Sequence, residues 1–316
     1  MTNVEGEMVC VTGDSDFIGS SIVQLLLRRG YTVRATVKNL WDERKTKHLE
    51  AIEGADSRLS LFQLDLLDYD SITAAVSGAT GVFHLASPCV IDRVHDPQRE
   101  LLDPAIKGTI NVLTAAKDLG VRRLVVTSSI SAMIASSSFL ADASEDCWIG
   151  EGYCCQNGIW YPLSKALAEK AAWKFAEENG LDIVVVNPGM VVGPIIPPDL
   201  NSSMKLMLRV IQEGFFMASV HVQDVALAHL MLYENTSAAG RHLCVESLSR
   251  YEDFAEKMEI LYPEYKLPRF PKDTQHGSVK SNAALKKLID LGMEFTPLEQ
   301  IIKDSIESLR SKGYLS

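Results

Sequence analysis

Tyr161 and Lys165 stand four residues apart in Trp160-Tyr161-Pro162-Leu163-Ser164-Lys165, a spacing that can do proton chemistry. On a helix both project from one face. An ammonium beside a phenol favours the phenolate, so the pair reads as an acid/base device with the tyrosine pKa drawn down from its usual value of about 10. Ordinary amphipathic helices also carry tyrosine and lysine at this spacing. The pair therefore takes its meaning from the elements that position it.

The first of these is at the start of the chain. Met8-Val9-Cys10-Val11-Thr12 is an apolar run ending at Gly13, and Phe17 to Arg29 carries apolar residues at helical spacing. Tyr31 to Val37 alternates around β-branched residues as a second strand, completing a βαβ unit of the size dinucleotide-binding folds use. The intervening turn keeps the first and last glycines of a Gly-x-x-Gly-x-x-Gly loop, Gly13 and Gly19, and has Asp16 at the middle one. Gly13 suits the tight turn and Gly19 close helix–strand packing. Asp16 brings a carboxylate to where backbone normally approaches a pyrophosphate, so weakened binding is expected.

Lys38, Arg44, Lys45 and Lys47 cluster beyond the second strand, which does not end in the acidic residue that would meet an NAD ribose. The cluster suits a 2′-phosphate and hence NADP(H). Further strands are expected at Leu59–Leu66, Gly81–Pro88, Arg123–Ser129 and Leu181–Asn187, with a helix over Glu100–Leu119 and the Tyr-Lys helix between the last two strands. Strands alternating with helices predict an α/β fold with a doubly wound parallel sheet. Ligands bind beyond the carboxyl ends of such strands, where Gly13, Asp65, Ser87 and Ser129 all fall. From Met190 the rhythm loosens, with later helices expected at 251–263, 280–291 and 297–312. The expected division is a nucleotide-binding domain over 1–189 and a smaller substrate-covering lobe over 190–316, some of whose segments return to the first. Asp224 is expected near the positive end of a helix, in a structural role.

Composition narrows the function classes. With 47% hydrophobic and 23% charged residues over 316 positions, the chain has enough apolar material for a large buried core. A net charge of −10 gives no general attraction to nucleic acid or anionic lipid. The sequence has no apolar run of membrane-spanning length and no signal-peptide core at its N-terminus, so a cytoplasmic protein is expected. Its six cysteines lack Cys-x-x-Cys spacing and its seven histidines form no metal motif, so no metal site is expected. Cys147 and Cys154 share one expected loop, where oxidation would bring them within reach of each other.

Taken in order, Val11-Thr12-Gly13, Phe17-Ile18-Gly19-Ser20, Val33-Arg34-Ala35-Thr36-Val37, Val82-Phe83-His84-Leu85-Ala86-Ser87-Pro88, Val126-Thr127-Ser128-Ser129, Tyr161/Lys165 and Asn187-Pro188-Gly189 form a recognisable series. Over nearly its whole length the chain resembles the extended short-chain dehydrogenases/reductases. It looks close to the plant cinnamoyl-CoA reductase, dihydroflavonol reductase and cinnamyl-alcohol-dehydrogenase-like group. The resemblance implies a Rossmann fold, NADP(H), and phenylpropanoid metabolism. It gives Tyr161 the role of proton donor, Lys165 that of ribose ligand and pKa modifier, and Ser129 that of hydrogen-bond donor to a substrate carbonyl, with Ser128 as the alternative. It assigns the pyrophosphate to Gly13, Asp14, Ser15, Asp16, Phe17, Ile18 and Gly19, and the 2′-phosphate to Lys38 and Arg44. Asp65 and Leu66 would flank the adenine, Leu85, Ala86 and Ser87 the ribose, and Pro188, Gly189, Met190 and Val191 the nicotinamide, with Ser203 also in the cofactor set. The superfamily's catalytic asparagine falls at Ala105.

Substrate features depart from the cinnamoyl-CoA reductases within this group. Their Asn-Trp-Tyr-Cys-Tyr-Gly-Lys signature stands here as Ile159-Trp160-Tyr161-Pro162-Leu163-Ser164-Lys165, and the His-x-x-Lys segment associated with the CoA ester aligns with Leu206-Met207-Leu208-Arg209. Of that set only a later arginine, Arg241, matches. Gln212–Met217 is shorter than the family's loop, which predicts a more open pocket. The expected activity is NADPH-dependent reduction of an aldehyde or ketone, phenylpropanoid-like in structure. The alternatives are reduction of a CoA thioester, a nucleotide-sugar epimerase or dehydratase, and a binding homologue with little turnover.

Overall fold

The computed structural model describes residues 6–13, 16–89, 94–133, 145, 147–213, 218–246, 251–265 and 286–315. The chain runs β1 (Met8–Thr12), α1 (Phe17–Arg28), β2 (Thr32–Val37), α2 (Glu43–Glu50), α3 (Ala55–Arg58), β3 (Leu59–Gln63), α4 (Tyr69–Val76) and β4 (Gly81–His84). Next come α5 (Asp103–Asp118), β5 (Arg123–Thr127), α6 (Glu151–Asn157), α7 (Trp160–Asn179), β6 (Ile183–Pro188) and β7 (Met190–Val192). Then follow α8 (Ser202–Glu213), β8 (Ser219–His221), α9 (Val222–Glu234), β9 (Gly240–Cys244), α10 (Tyr251–Leu261), α11 (Lys286–Asp290) and α12 (Leu298–Ser311).

Seven strands pair in parallel in the order β3-β2-β1-β4-β5-β6-β9, which is the doubly wound sheet the alternation predicts. The central strands are buried on both faces, so they read as continuous apolar runs rather than alternating ones. Burying each valine of β6 contributes about 1.5–3 kcal/mol. The order reverses between β1 and β4, whose ends meet at the Thr12–His84 pair, and a crevice opens at that switch point. β7 and β8 form a separate two-stranded parallel sheet.

Two helices show how local chemistry sets the frame. The helix expected from Glu100 begins as a π-helical turn, Gln98–Leu102, before α5. Pro104 has no N–H to close an α-helical bond to the preceding turn, and the chain widens there. α7 tolerates Pro162 because it lies in the first turn, and it ends at Gly180, whose φ of +64° only glycine adopts without strain. Between these ends, Ala172 and Ala176 pack with Val112, Ala115 and Ala116 of α5 in one core cluster. Small side chains on both helices bring α7 close to the sheet end that carries the chemistry.

Residues beyond 190 supply the seventh strand β9 as well as the helices α10–α12. Of the expected 280–291 helix, 280–285 lie outside the described residues and Lys286–Asp290 is helical. α12 buries Ile301, Ile302, Ile306 and Leu309 in the same core that receives α1 and α9. Asp224, in the first turn of α9, accepts from Thr296 N (2.8 Å) and Thr296 Oγ1 (2.9 Å), tying that helix to the segment before α12. Among the described residues no helix is long and apolar enough to cross a membrane, and no disulfide joins Cys147 to Cys154.

Candidate active site

At the switch point β1 ends in Thr12, whose Oγ1 accepts from Leu85 N and Ala86 N (3.2 Å each) and lies 2.8 Å from His84 Nδ1. Burial and the Lys165 charge hold His84 down to about 3, so the imidazole is neutral and acts as a brace. Gly13 has φ +77°, and a Cβ there would stand 2.8 Å from Ala86 N. Only glycine lets the β1 turn lie against Leu85–Ala86. Its N–H donates to Thr36 Oγ1 (3.2 Å), which carries the contact on to β2. Asp14 and Ser15 lie outside the described residues. Phe17 and Ile18 open α1, where backbone N–H groups have no intrahelical partner, and Gly19 is buried behind them.

Asp16 is the N-cap residue of α1, yet its side chain makes no capping bond. The carboxylate is 78% exposed and turned outward to 3.9 Å from Lys45 Nζ. The charge conflict expected from the sequence is thereby eased, because the carboxylate lies in solvent beside a cation. Asp16→Gly is expected to change NADPH affinity by less than about fivefold, the scale of one screened ion pair. A larger gain in a calorimetric titration would mean that the carboxylate does reach the phosphates.

Among the basic residues, Lys38 is exposed just past β2. Arg44, expected at a 2′-phosphate, donates to Asp199, and Lys45 stands between Asp16 and Asp199 (3.7 Å). Lys45 is therefore nearer the loop than Arg44. Asp65 turns onto its own bend, where its carboxylate accepts from Leu67 N (2.9 Å), while the Leu66 carbonyl accepts from Asn111 Nδ2 (2.9 Å). A separate cleft of roughly 300 Å³ lies at the edge strand, lined by Leu40, Thr46, Leu59 and Leu61, and holds none of the acid/base groups.

The acid/base groups meet beyond β5. Tyr161 lies beside Ser129 and Cys89, and Lys165 Nζ donates to Thr127 O (2.9 Å). Burial pushes the Tyr161 phenol up, the Cys89 thiol adds to this, and the Ser129 hydroxyl opposes it. Spacing alone implies the opposite shift, which fails because burial dominates and the Lys165 ammonium points to a main-chain carbonyl; burial lowers Lys165 itself to about 8, with Cys89 and Glu169 opposing. Tyr161 is thus protonated at neutral pH, the state a proton donor needs.

Ser128 and Ser129 separate cleanly. Ser128 Oγ donates to Glu169 Oε2 (2.5 Å), whereas Ser129 Oγ faces Tyr161 and accepts from Ser131 N (3.1 Å) and Ser131 Oγ (2.9 Å). Glu169 is fully buried. It also accepts from Asn187 Nδ2 (3.0 Å), Trp173 Nε1 (3.3 Å) and Arg241 Nε (2.6 Å). Arg241 in turn donates to Glu145 O (3.0 Å) and stacks at 3.9 Å over Trp148. The arginine that aligns with a CoA-associated position is therefore engaged inside the fold. Sequence reasoning missed Glu169, although Tyr161, Lys165 and Glu169 recur at four-residue spacing on one helical face. It also missed Cys89, whose neighbours gave no signal.

Gly189 closes the far side. A Cβ there would collide with Ala218 O, and Met190 N donates to that same carbonyl (2.7 Å), so the chain after β6 is held flat, with Val191 buried. Ser203 is half-buried in the first turn of α8, beside Ser202, whose Oγ is 3.7 Å from Cys89 Sγ. Leu206 and Arg209 lie outside the residues whose side chains are described, and the short loop at Gln212–Met217 includes 214–217, which are also outside. These residues fit a dinucleotide. Gly13 leaves a cradle that a Cβ would fill, and Ser87 Oγ is buried beside His84, Thr109 and Lys165 with no hydrogen-bond partner among the described residues.

The family profile described as "NAD dependent epimerase/dehydratase family" matches residues 9–245, from β1 through the end of β9. The chain belongs to that family. It is 43% identical over 318 residues to cinnamoyl-CoA reductase CAD2 of Medicago truncatula, covering 98% of this chain and 97% of the relative. Its fold is similar to that of vestitone reductase from alfalfa, with a TM-score of 0.83, 32% identity, and coverage of 98% and 99%. Yeast methylglyoxal/isovaleraldehyde reductase Gre2 in complex with NADPH also superposes with a TM-score of 0.83, at 26% identity and coverage of 98% and 100%. Within this family the chain groups with NADP-dependent reductases, as its motifs imply.

Proposed function

We propose that this chain is an NADPH-dependent reductase of aldehydes or ketones with phenylpropanoid-like substrates. The reading rests chiefly on one observation: the buried, protonated Tyr161 phenol beside Ser129 at the carboxyl end of β5, with Lys165 one turn further along α7. When bound, NADPH supplies the hydride for the carbonyl carbon. Ser129 donates a hydrogen bond to the carbonyl oxygen as negative charge grows there, and Tyr161 delivers the proton. Lys165, positioned by the Thr127 carbonyl, would hold the cofactor ribose with its remaining N–H groups and favour the charge that proton transfer leaves on Tyr161. Gly13 to Gly19 would hold the pyrophosphate, and Lys38 and Lys45 would meet the 2′-phosphate. Residues 1–189 carry most cofactor contacts in this reading, and 190–316 most of the substrate cover.

The similarity to cinnamoyl-CoA reductases keeps a CoA thioester as the second reading. The burial of Arg241 against Glu169 weighs against it. The test is NADPH oxidation with cinnamaldehydes, benzaldehydes, dihydroflavonols and cinnamoyl-CoA esters. Free carbonyl compounds are expected to turn over faster. The reverse ranking would favour the thioester, and NADPH binding without turnover on any of them would favour a binding homologue.

A further inference from the structure

Between β7 and α8 the chain crosses as a strap, Ile195–Leu200, fastened at both ends of its run. Ile195 N donates to Ser308 Oγ of α12 (2.9 Å), and Lys312 Nζ donates to Pro197 O (2.7 Å). Two residues on, Asp199 accepts from Arg44 and lies 3.7 Å from Lys45 Nζ. A carboxylate from the segment leading into the substrate lobe is thus fixed on the cations of α2, beside the phosphate loop. The opposite side of Lys45 faces Asp16.

We propose that Asp199 is a specificity-determining residue of the cofactor site, competing with the 2′-phosphate of NADPH for Lys45 and Arg44. The inference rests on the reading above that places this phosphate near Lys45. NADPH and NADH differ only in that phosphate, so a carboxylate already on its cations lowers the affinity for NADPH and leaves that for NADH nearly unchanged. Exchange is feasible because the ion pairs are partly open to solvent, with Arg44 and Asp199 side chains 69% and 41% exposed. A phosphate dianion attracts these cations more strongly than a single carboxylate, so it displaces Asp199 and does not merely add to it. Asp199 therefore reduces NADPH preference without abolishing it.

The test is calorimetric titration of the whole protein with NADPH and with NADH, for the wild type, Asp199→Asn, Lys45→Ala and the double variant. Asparagine is nearly isosteric and the position is partly exposed, so folding should be unaffected. Asp199→Asn should tighten NADPH binding by about three- to tenfold, the scale of one partly screened charge, and move NADH binding less than twofold. Most of that gain should vanish in the Lys45→Ala background. If Lys45→Ala weakens NADPH selectively while Asp199→Asn leaves it unchanged or weaker, the phosphate placement stands and the competition is overturned. If Lys45→Ala affects both nucleotides equally or not at all, the phosphate lies elsewhere and both readings fall.

Discussion

Tyr161→Phe slows carbonyl reduction by ~10²–10⁴-fold, the usual size of a lost general acid, while NADPH affinity and the unfolding midpoint stay near wild type. Phenylalanine keeps the ring in the first turn of α7 and removes only the phenol oxygen beside Ser129 and Cys89. His84 does not take over the role, since it is neutral and braced between Thr12 and Thr109. The pH profile of the wild type provides a second check. Lys165 is lowered to about 8, so its ammonium is lost as pH rises through that value, and kcat/KM falls there. Below it the lysine is charged and the phenol protonated, and activity holds. A Tyr161→Phe protein that turned over at a comparable rate would end the assignment of Tyr161 as donor.

Arg241→Ala is expected to cost about 3–5 kcal/mol of stability, because it strands a buried carboxylate. Glu169 is 1% exposed and would retain Ser128, Asn187 and Trp173 as donors, all neutral. Trp148 would lose the guanidinium it stacks on. Urea unfolding measures the loss, and a further Glu169→Met change in the Arg241→Met protein should recover part of it, since an apolar pair carries no desolvation penalty. If Arg241 instead bound a CoA ester, its removal would raise KM for thioesters and leave the unfolding midpoint in place.

The same arginine explains what the sequence concealed. Gly240-Arg241-His242-Leu243-Cys244 does not read as a buried strand, yet β9 buries both Arg241 and His242: Glu169 of α7 meets the arginine's charge, and burial keeps His242 neutral. By contrast β1, Gly13 and α1 were legible, because an apolar run, a glycine and a 3.6-residue pattern each report local physics. Tyr161, Lys165 and the paired serines were visible as candidates for the same reason. Their electrostatics were not. The choice between Ser128 and Ser129 depends on which hydroxyl Glu169 takes, and the direction of the tyrosine shift on the burial of the phenol, both set by contacts between distant segments. Spacing also could not show that Asp16 turns toward Lys45, a partner on another helix.

The position of β9 also bears on how the protein is made. During synthesis α7 emerges with Tyr161, Lys165 and Glu169 in place, but the partner that neutralises Glu169 lies 72 residues later. Until Gly240–Cys244 has been translated and laid against β6, the end of the sheet carries an uncompensated carboxylate and an open parallel edge, a state prone to unproductive association. A chain cut between β6 and β9 would thus contain every acid/base group named above and still lack the ion that lets them pack. Maturation of the site is a late event in the life of the polypeptide, set by a strand far from the chemistry.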